Sequence, residues 1–199
     1  KKSEKEIKAL RDRLPRKCLL VVDSAYSEYV TESNYSDTIS FAKKRKDIIV
    51  THTFSKIFGL AAARLGWAYC PSEIVEVLEK IRPAFNVNSY AQTIGNIILD
   101  DAFFIKKSIR HNCFWKDWLS KEFLNLGIKV IPSVANFVTI IFENGFSASK
   151  FAESLEKNNI FVRKLNAYKL NNCLRITVGT EMQNKRLLKL SKRILRATQ

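Results

Sequence analysis

The stretch THTFSKIFGLAAARLGW, residues 51–67, decides how this chain is read. It follows Asp47–Val50 (DIIV), an apolar run short enough for a buried strand. The polar loop THTFSK then sets Thr53, Ser55 and Lys56 just past the strand's carboxyl end. In open α/β sheets, ligands bind at that end. A lysine among hydroxyls there can act as a Schiff-base nucleophile; a lysine alone is more often a surface residue. Arg64 lies eight residues beyond Lys56, between alanines and Gly66. Its guanidinium fork would suit a phosphate, or a structural salt bridge.

Upstream stands VVDSAYSEY, residues 21–29. Cys18–Val22 predicts a buried parallel strand with its carboxyl end at Asp23. A carboxylate there binds a cation or a protonated ring nitrogen, or caps the next turn. Residues 1–13 read as the end of a helix and residues 37–46 as a charged, helical connection. Trp67–Cys70 is a third strand, and Ser72 is the expected N-cap of a helix reaching Ile81. Ser89 and Gln92 have capping-box spacing at the start of a further helix. The next amphipathic helix spans Phe104 to Leu126 and ends at Gly127. Beyond it, KVIPS, ANFVTIIF, NIFVRKL and NCLRITVG read as short strands. They alternate with helices over 147–158 and 181–197, the second carrying a Thr180–Gln183 capping box. The fold class is therefore α/β, followed by a small α+β domain. The boundary is expected near residue 104, giving residues 1–104 and 105–199.

Composition narrows the function. The 199 residues are 46% hydrophobic, enough for one good core or two small ones. Glycine (6) and proline (4) are too scarce for a collagen-like or linker chain. No apolar run reaches the length of a bilayer span, and the start KKSEKEIKALRDRLPRK is too charged for a secretory signal. A cytoplasmic protein without a membrane partner is expected. The formal net charge is +15, but the basic residues are spread along the chain. With no basic-aromatic repeat, zinc finger or basic arm, no nucleic-acid partner is expected. The four cysteines form no C-x-x-C pair; buried reduced thiols and no metal are expected. His52 and His111 are the only histidines, which argues against a His-based catalytic site. His52 reads as a structural or rim residue.

Together, D-x-A-Y, S-K and R-x-G at these spacings resemble the signature of fold-type I pyridoxal-phosphate aminotransferases. RPAFNVNSYAQ (82–92) and NNCLRITVGT (171–180) resemble the histidinol-phosphate aminotransferases within that group. The likeness runs nearly end to end. It implies a pyridoxal 5'-phosphate cofactor and the C-terminal part of that family's large domain, a mostly parallel sheet with helices. It implies that Lys56 holds the cofactor covalently and shuttles a proton. Asp23 would pair with the pyridinium nitrogen, Tyr26 would hydrogen-bond the ring oxygen, and Thr53, Ser55 and Arg64 would hold the phosphate. Arg175 would clamp the substrate carboxylate, with Arg163 as candidate for the substrate's own phosphate or a solvated strand-end charge. The implied reaction takes histidinol phosphate and 2-oxoglutarate to imidazole acetol phosphate and glutamate, in a homodimer. The alternatives are an aromatic amino-acid aminotransferase, a threonine-phosphate decarboxylase-like enzyme, or an inactive truncated fragment. Phe114, Trp115 and Trp118 hint at an interface but read more simply as helix core.

Two departures from the family pattern touch the motifs. Ser24 replaces the usual glutamate of D-E-A-Y, and His52 stands where an arginine usually precedes T-F-S-K. The larger departure is length. The family's N-terminal half supplies an N-P-x-x-P-T-G type motif, a ring-stacking aromatic and further phosphate-binding groups. None of these precedes Asp23.

Overall fold

The computed structural model describes residues 3–32, 35, 38–143 and 147–197. The helical expectations for residues 1, 2 and 37 lie outside that set. The chain forms two compact units, Lys1–Ile109 and Arg110–Gln199.

In the first unit, helix α1 (Glu4–Arg13) opens on a capping box between Ser3 and Glu6, so it is a helix with its own start rather than a helix tail. Strand β1 (Leu20–Asp23) leads through a short 3-10 turn, Ser27–Tyr29, to helix α2 (Thr38–Ala42). Strand β2 covers Ile48–Thr53 and strand β3 covers Gly66–Tyr69. β1 pairs with β2 in parallel and β3 pairs with β2 antiparallel, so one of the two ladders is parallel. β2 runs past the apolar DIIV segment because Thr51, His52 and Thr53 pair with Ala68, Trp67 and Gly66. Backbone pairing overrides the polar side chains there.

β1 is half buried rather than fully buried: its exposure alternates and Val21 is 56% exposed. Helix α3 (Ser72–Ile81) starts one residue from expectation, with Pro71 as N-cap; the Ser72 hydroxyl turns instead to Glu73 Oε2, 3.2 Å away. α3 has no buried residue, and Val75, Val77, Leu78 and Ile81 are exposed along it. Helix α4 (Ser89–Asp100) is capped by Asn88, not Ser89. Asn88 Oδ1 accepts the Ala91 N–H at 2.8 Å, while Gln92 Nε2 donates to Val87 O. Helix α5 (Ala102–Asn125) starts earlier than expected because Asp101 Oδ1 accepts the Phe104 N–H at 2.8 Å.

In the second unit, a four-stranded antiparallel sheet has the order β4 (Lys129–Ile131), β5 (Phe137–Ile141), β7 (Leu170–Thr177), β6 (Arg163–Leu165). Helices α6 (Ala148–Glu156) and α7 (Glu181–Arg196) complete it, with the Thr180–Gln183 capping box formed as expected. Gly127 takes φ +75 after α5, the left-handed turn that ends the helix. Leu119, Phe123, Val138, Ile140, Phe151 and Leu174 form the centre of the core. Trp115 is buried, whereas Phe114 is 62% exposed, so only part of that aromatic group is core. All four cysteines are free, but only Cys173 is buried. That corrects the expectation of four buried thiols: Cys18 and Cys70 lie just outside β1 and β3, and Cys113 lies on a half-buried face of α5. Among the described residues, no helix is long and apolar enough to cross a membrane.

Asp47 ties the first unit's elements together. Arg45 Nε reaches its carboxylate at 2.9 Å and Arg11, itself 2% exposed, at 2.7 Å. Hydrogen bonds from Arg45 and Arg11 hold the Asp47 carboxyl well below the usual carboxylate range, outweighing the opposing effect of burial. A depressed folded-state value stabilises the fold above the unfolded-state value, about pH 4, and the effect is lost as pH falls from there through the folded-state value. We predict that Asp47→Asn costs about 2 kcal/mol at pH 7, because the buried Arg11 loses its charged partner. Chemical denaturation should show wild type and variant converging as the pH is lowered below about 4.

Candidate functional site

The parallel register aligns the carboxyl ends of β1 and β2: Asp23 stands opposite Thr51, and the Ser24 N–H donates to Thr51 O at 2.8 Å. Asp23 Oδ1 then accepts the Ala25 N–H at 3.1 Å, an Asx-type bond that turns the chain toward Tyr26. At the end of β2, Thr53 Oγ1 accepts the Ser55 N–H at 3.0 Å. The following turn is closed by Gly59 N–H to Lys56 O and Leu60 N–H to Phe54 O. Phe54, Ile57 and Phe58 are buried together with Tyr29. These apolar anchors drive the turn into the core and leave Lys56 half-buried among them. Its Nζ stands 5.3 Å from the centroid of the Tyr26 ring, within cation–π range. Among the described residues, Lys56 Nζ has no hydrogen bond or ion pair.

Arg64 follows a 3-10 turn, Ala61–Ala63, and adopts the left-handed conformation (φ 55, ψ 39). For a non-glycine residue that costs about 1 kcal/mol. Its Nη1 donates to Ala61 O at 2.8 Å. Two residues on, Gly66 pairs with Thr53, and a Cβ at Gly66 would lie 2.9 Å from His52 O. Only glycine lets β3 begin this close to β2. Asp23, Tyr26, Thr53, Ser55, Lys56 and Arg64 thus gather at one end of the three-stranded sheet.

His52 is buried, not on a rim. Its ring stacks on Trp67, its cross-strand partner, at 4.3 Å and 3°. Nδ1 lies 3.1 Å from Glu28 Oε1 and 3.4 Å from Ser27 Oγ. Burial raises the Tyr29 phenol above its ordinary value, and nearby Tyr26 and Glu28 add to it. Glu28 and Trp67 stand outside the sequence motifs that mark the site. The signal available for Trp67 was its place opposite His52, and that requires the register.

Arg163 and Arg175 belong to the second unit. They are directly opposite each other on β6 and β7, so both guanidiniums stand on one face of the sheet. Arg175 Cζ lies 5.0 Å from the Phe137 ring centroid. Its buried Nε has no hydrogen-bond partner among the described residues. Two like charges placed opposite each other repel, and a buried unpaired donor adds a further cost. An anion between them would relieve both.

The family Aminotransferase class I and II matches residues 2–190. Histidinol-phosphate aminotransferase from Maricaulis maris is 44% identical over 94% of this chain and 52% of its own length. The enzyme of the same name from Zymomonas mobilis is 41% identical over 88% of this chain and 48% of its own length. The chain therefore spans about half the length of the curated relatives it matches. Among solved structures, histidinol-phosphate aminotransferase from Sinorhizobium meliloti in complex with pyridoxal-5'-phosphate superposes with a TM-score of 0.87 at 25% identity. It covers 100% of this chain and 54% of that one.

The arginine pair generates a direct expectation. In low salt, Arg163→Gln should raise stability by about 0.5 kcal/mol by removing the cross-strand repulsion. Phosphate should raise the melting temperature of the wild type by mass action and that of the variant much less. Thermal unfolding with and without phosphate, against chloride of equal ionic strength, checks both.

Proposed function

The chain belongs to the aminotransferase class I and II family, and from that premise we propose that its protein moves an amino group between an amino acid and a 2-oxo acid on pyridoxal 5'-phosphate. One observation carries this reading. The β1–β2 register sets a carboxylate (Asp23) and hydroxyls (Thr53, Ser55) at one sheet end, with the Lys56 amine beside the Tyr26 ring. The groups fit the cofactor chemically. Lys56 Nζ is uncommitted among the described residues, and Asp23 keeps one carboxylate oxygen beyond its bond to Ala25.

When bound, the cofactor supplies an electron sink for the bonds at the substrate α-carbon. The chain's residues do the rest. Lys56 would hold the cofactor through its amine and would carry a proton to and from the substrate α-carbon. Asp23 keeps the ring nitrogen protonated. Tyr26 donates a hydrogen bond to the ring oxygen. Thr53 and Ser55 offer hydroxyl donors to the phosphate, and Arg64 offers a charged fork. Arg175 orients the carboxylate of an amino-acid or 2-oxo-acid substrate, and Arg163 takes the phosphate of a phosphorylated one.

The substrate pair we propose is histidinol phosphate with 2-oxoglutarate, giving imidazole acetol phosphate and glutamate. The names of the relatives support it, and two facing arginines suit both the two carboxylates of 2-oxoglutarate and the doubly charged phosphate of histidinol phosphate. An aromatic amino acid offers the arginine pair one singly charged carboxylate rather than a doubly charged phosphate, so the aromatic aminotransferase reading is weaker. A homodimer in the cytoplasm completes the proposal. One observation favours a second reading, a chain without turnover: it spans about half of its relatives' length.

Incubation with pyridoxal phosphate, borohydride reduction and peptide mapping test the cofactor role. The label is expected on Lys56, and Lys56→Ala should remove it; a label on another lysine overturns the assignment. Steady production of 2-oxoglutarate from glutamate with an acceptor would exclude the inert reading. Turnover of phenylalanine above histidinol phosphate would overturn the substrate.

A further inference from the structure

The contact between His52 and Glu28 lies outside the groups assigned to the cofactor, yet it joins the two segments that carry them. Glu28 sits in the Ser27–Tyr29 turn, two residues after Tyr26; His52 is the residue before Thr53 on β2. Besides its own backbone hydrogen bonds, the turn is tied to neighbouring segments through the side chains of Tyr29 and Glu28. Tyr29 is buried in the apolar cluster with Phe54, Ile57 and Phe58, and Glu28 reaches His52 Nδ1 at 3.1 Å. The carboxylate can only accept, so the ring carries its proton on Nδ1. Ser27 Oγ donates to Ser24 O at 2.9 Å, which turns its lone pairs toward the same ring nitrogen, 3.4 Å away. Trp67 lies flat on the imidazole and fixes its plane.

We propose that His52 is a positioning residue: its hydrogen bond to Glu28, with the ring plane set by Trp67, holds the Ser27–Tyr29 turn against β2 and so keeps the Tyr26 ring beside the Lys56 amine. The burial of Tyr29 anchors the far end of the turn, and within the turn the Ser27 N–H donates to Ser24 O and the Tyr29 N–H to Tyr26 O. Tyr26 has φ −122 and ψ 10, outside the helical and strand regions. That conformation is sparsely populated and is kept only where its surroundings hold it. The His52–Glu28 bond is a side-chain link from this turn to β2. A charge-assisted bond between groups this shielded is strong enough to select one turn geometry.

The functional meaning of this device rests on the Lys56 reading above, but its geometry is tested without cofactor. In the full chain with labelled lysine and tyrosine, nuclear Overhauser contacts between the Tyr26 ring and the Lys56 ε-methylene report the pairing. Lys56→Arg assigns the lysine signal. His52→Phe keeps a flat ring on Trp67 but no donor, and Glu28→Ala removes the acceptor. Each should lose the Tyr26–Lys56 contact while the amide signals of residues 48–51 stay in place. His52→Arg keeps an N–H donor and a flat face, and should retain the contact only while Glu28 is present. A contact that survives in Glu28→Ala or in a folded His52→Phe overturns the proposal, as does its loss in His52→Arg. If His52→Phe fails to fold, Glu28→Ala decides. Borohydride labelling of a lysine other than Lys56 would overturn the cofactor reading and leave this result standing.

Discussion

Parallel hydrogen bonding between β1 and β2 holds Asp23 level with Thr51, and the candidate site is assembled on that ladder. Strand side chains alternate between faces, so a slip of one residue would send Asp23 and Thr53 to the opposite side of the sheet. What prevents the slip is largely apolar. Ile48 and Val50 are fully buried against Leu20 and Val22, and a shifted register would bring polar residues into that layer. Asp47 adds an ionic pin at the other end of β2, where two arginines converge on it. The core and the ion cluster keep the strand ends aligned, and the reactive groups inherit that alignment.

A common pattern links the two units: strong local anchoring beside uncommitted polar groups. Around Lys56 the anchors are Phe54, Ile57 and Phe58. Around Arg175 they are Leu174 and Ile176, both buried on the other face of β7. A sheet that packs one face so firmly can carry cost on the other. Facing guanidiniums, a buried Nε with no partner among the described residues and a left-handed arginine are each unfavourable alone. They persist because the surrounding packing leaves the backbone no cheaper path. Such local costs gather where a protein binds something.

The first unit also carries apolar surface that its other described residues leave exposed. α3 turns Val75, Leu78 and Ile81 toward a groove that Ala68, Cys70 and Pro83 also line. Val21 and Trp67 are exposed on the sheet. An amphipathic helix with no buried residue is uncommon in a finished layer. The observation is consistent with a chain that spans about half the length of its relatives.

Much of this was legible from residue order. Apolar runs marked β1, β2, β4, β5 and β7, whereas β6 is the Arg163–Leu165 segment that follows the apolar run Ile160–Val162. Thr180 and Gln183 marked the start of α7, and Gly127 the end of α5. Prediction failed where two local signals competed: Asn88 outbid Ser89 as a cap because its side chain reaches the Ala91 N–H, and polar THT stayed in β2 because β3 paired with it. The amino-acid sequence by itself determined the family and the stock of reactive groups, since motif chemistry depends only on near neighbours along the chain. Tertiary structure alone decided that His52 meets Glu28 and lies on Trp67, and that Arg163 faces Arg175. Those contacts join residues on separate segments, and strand register, which sets them, is a cooperative property of the whole sheet.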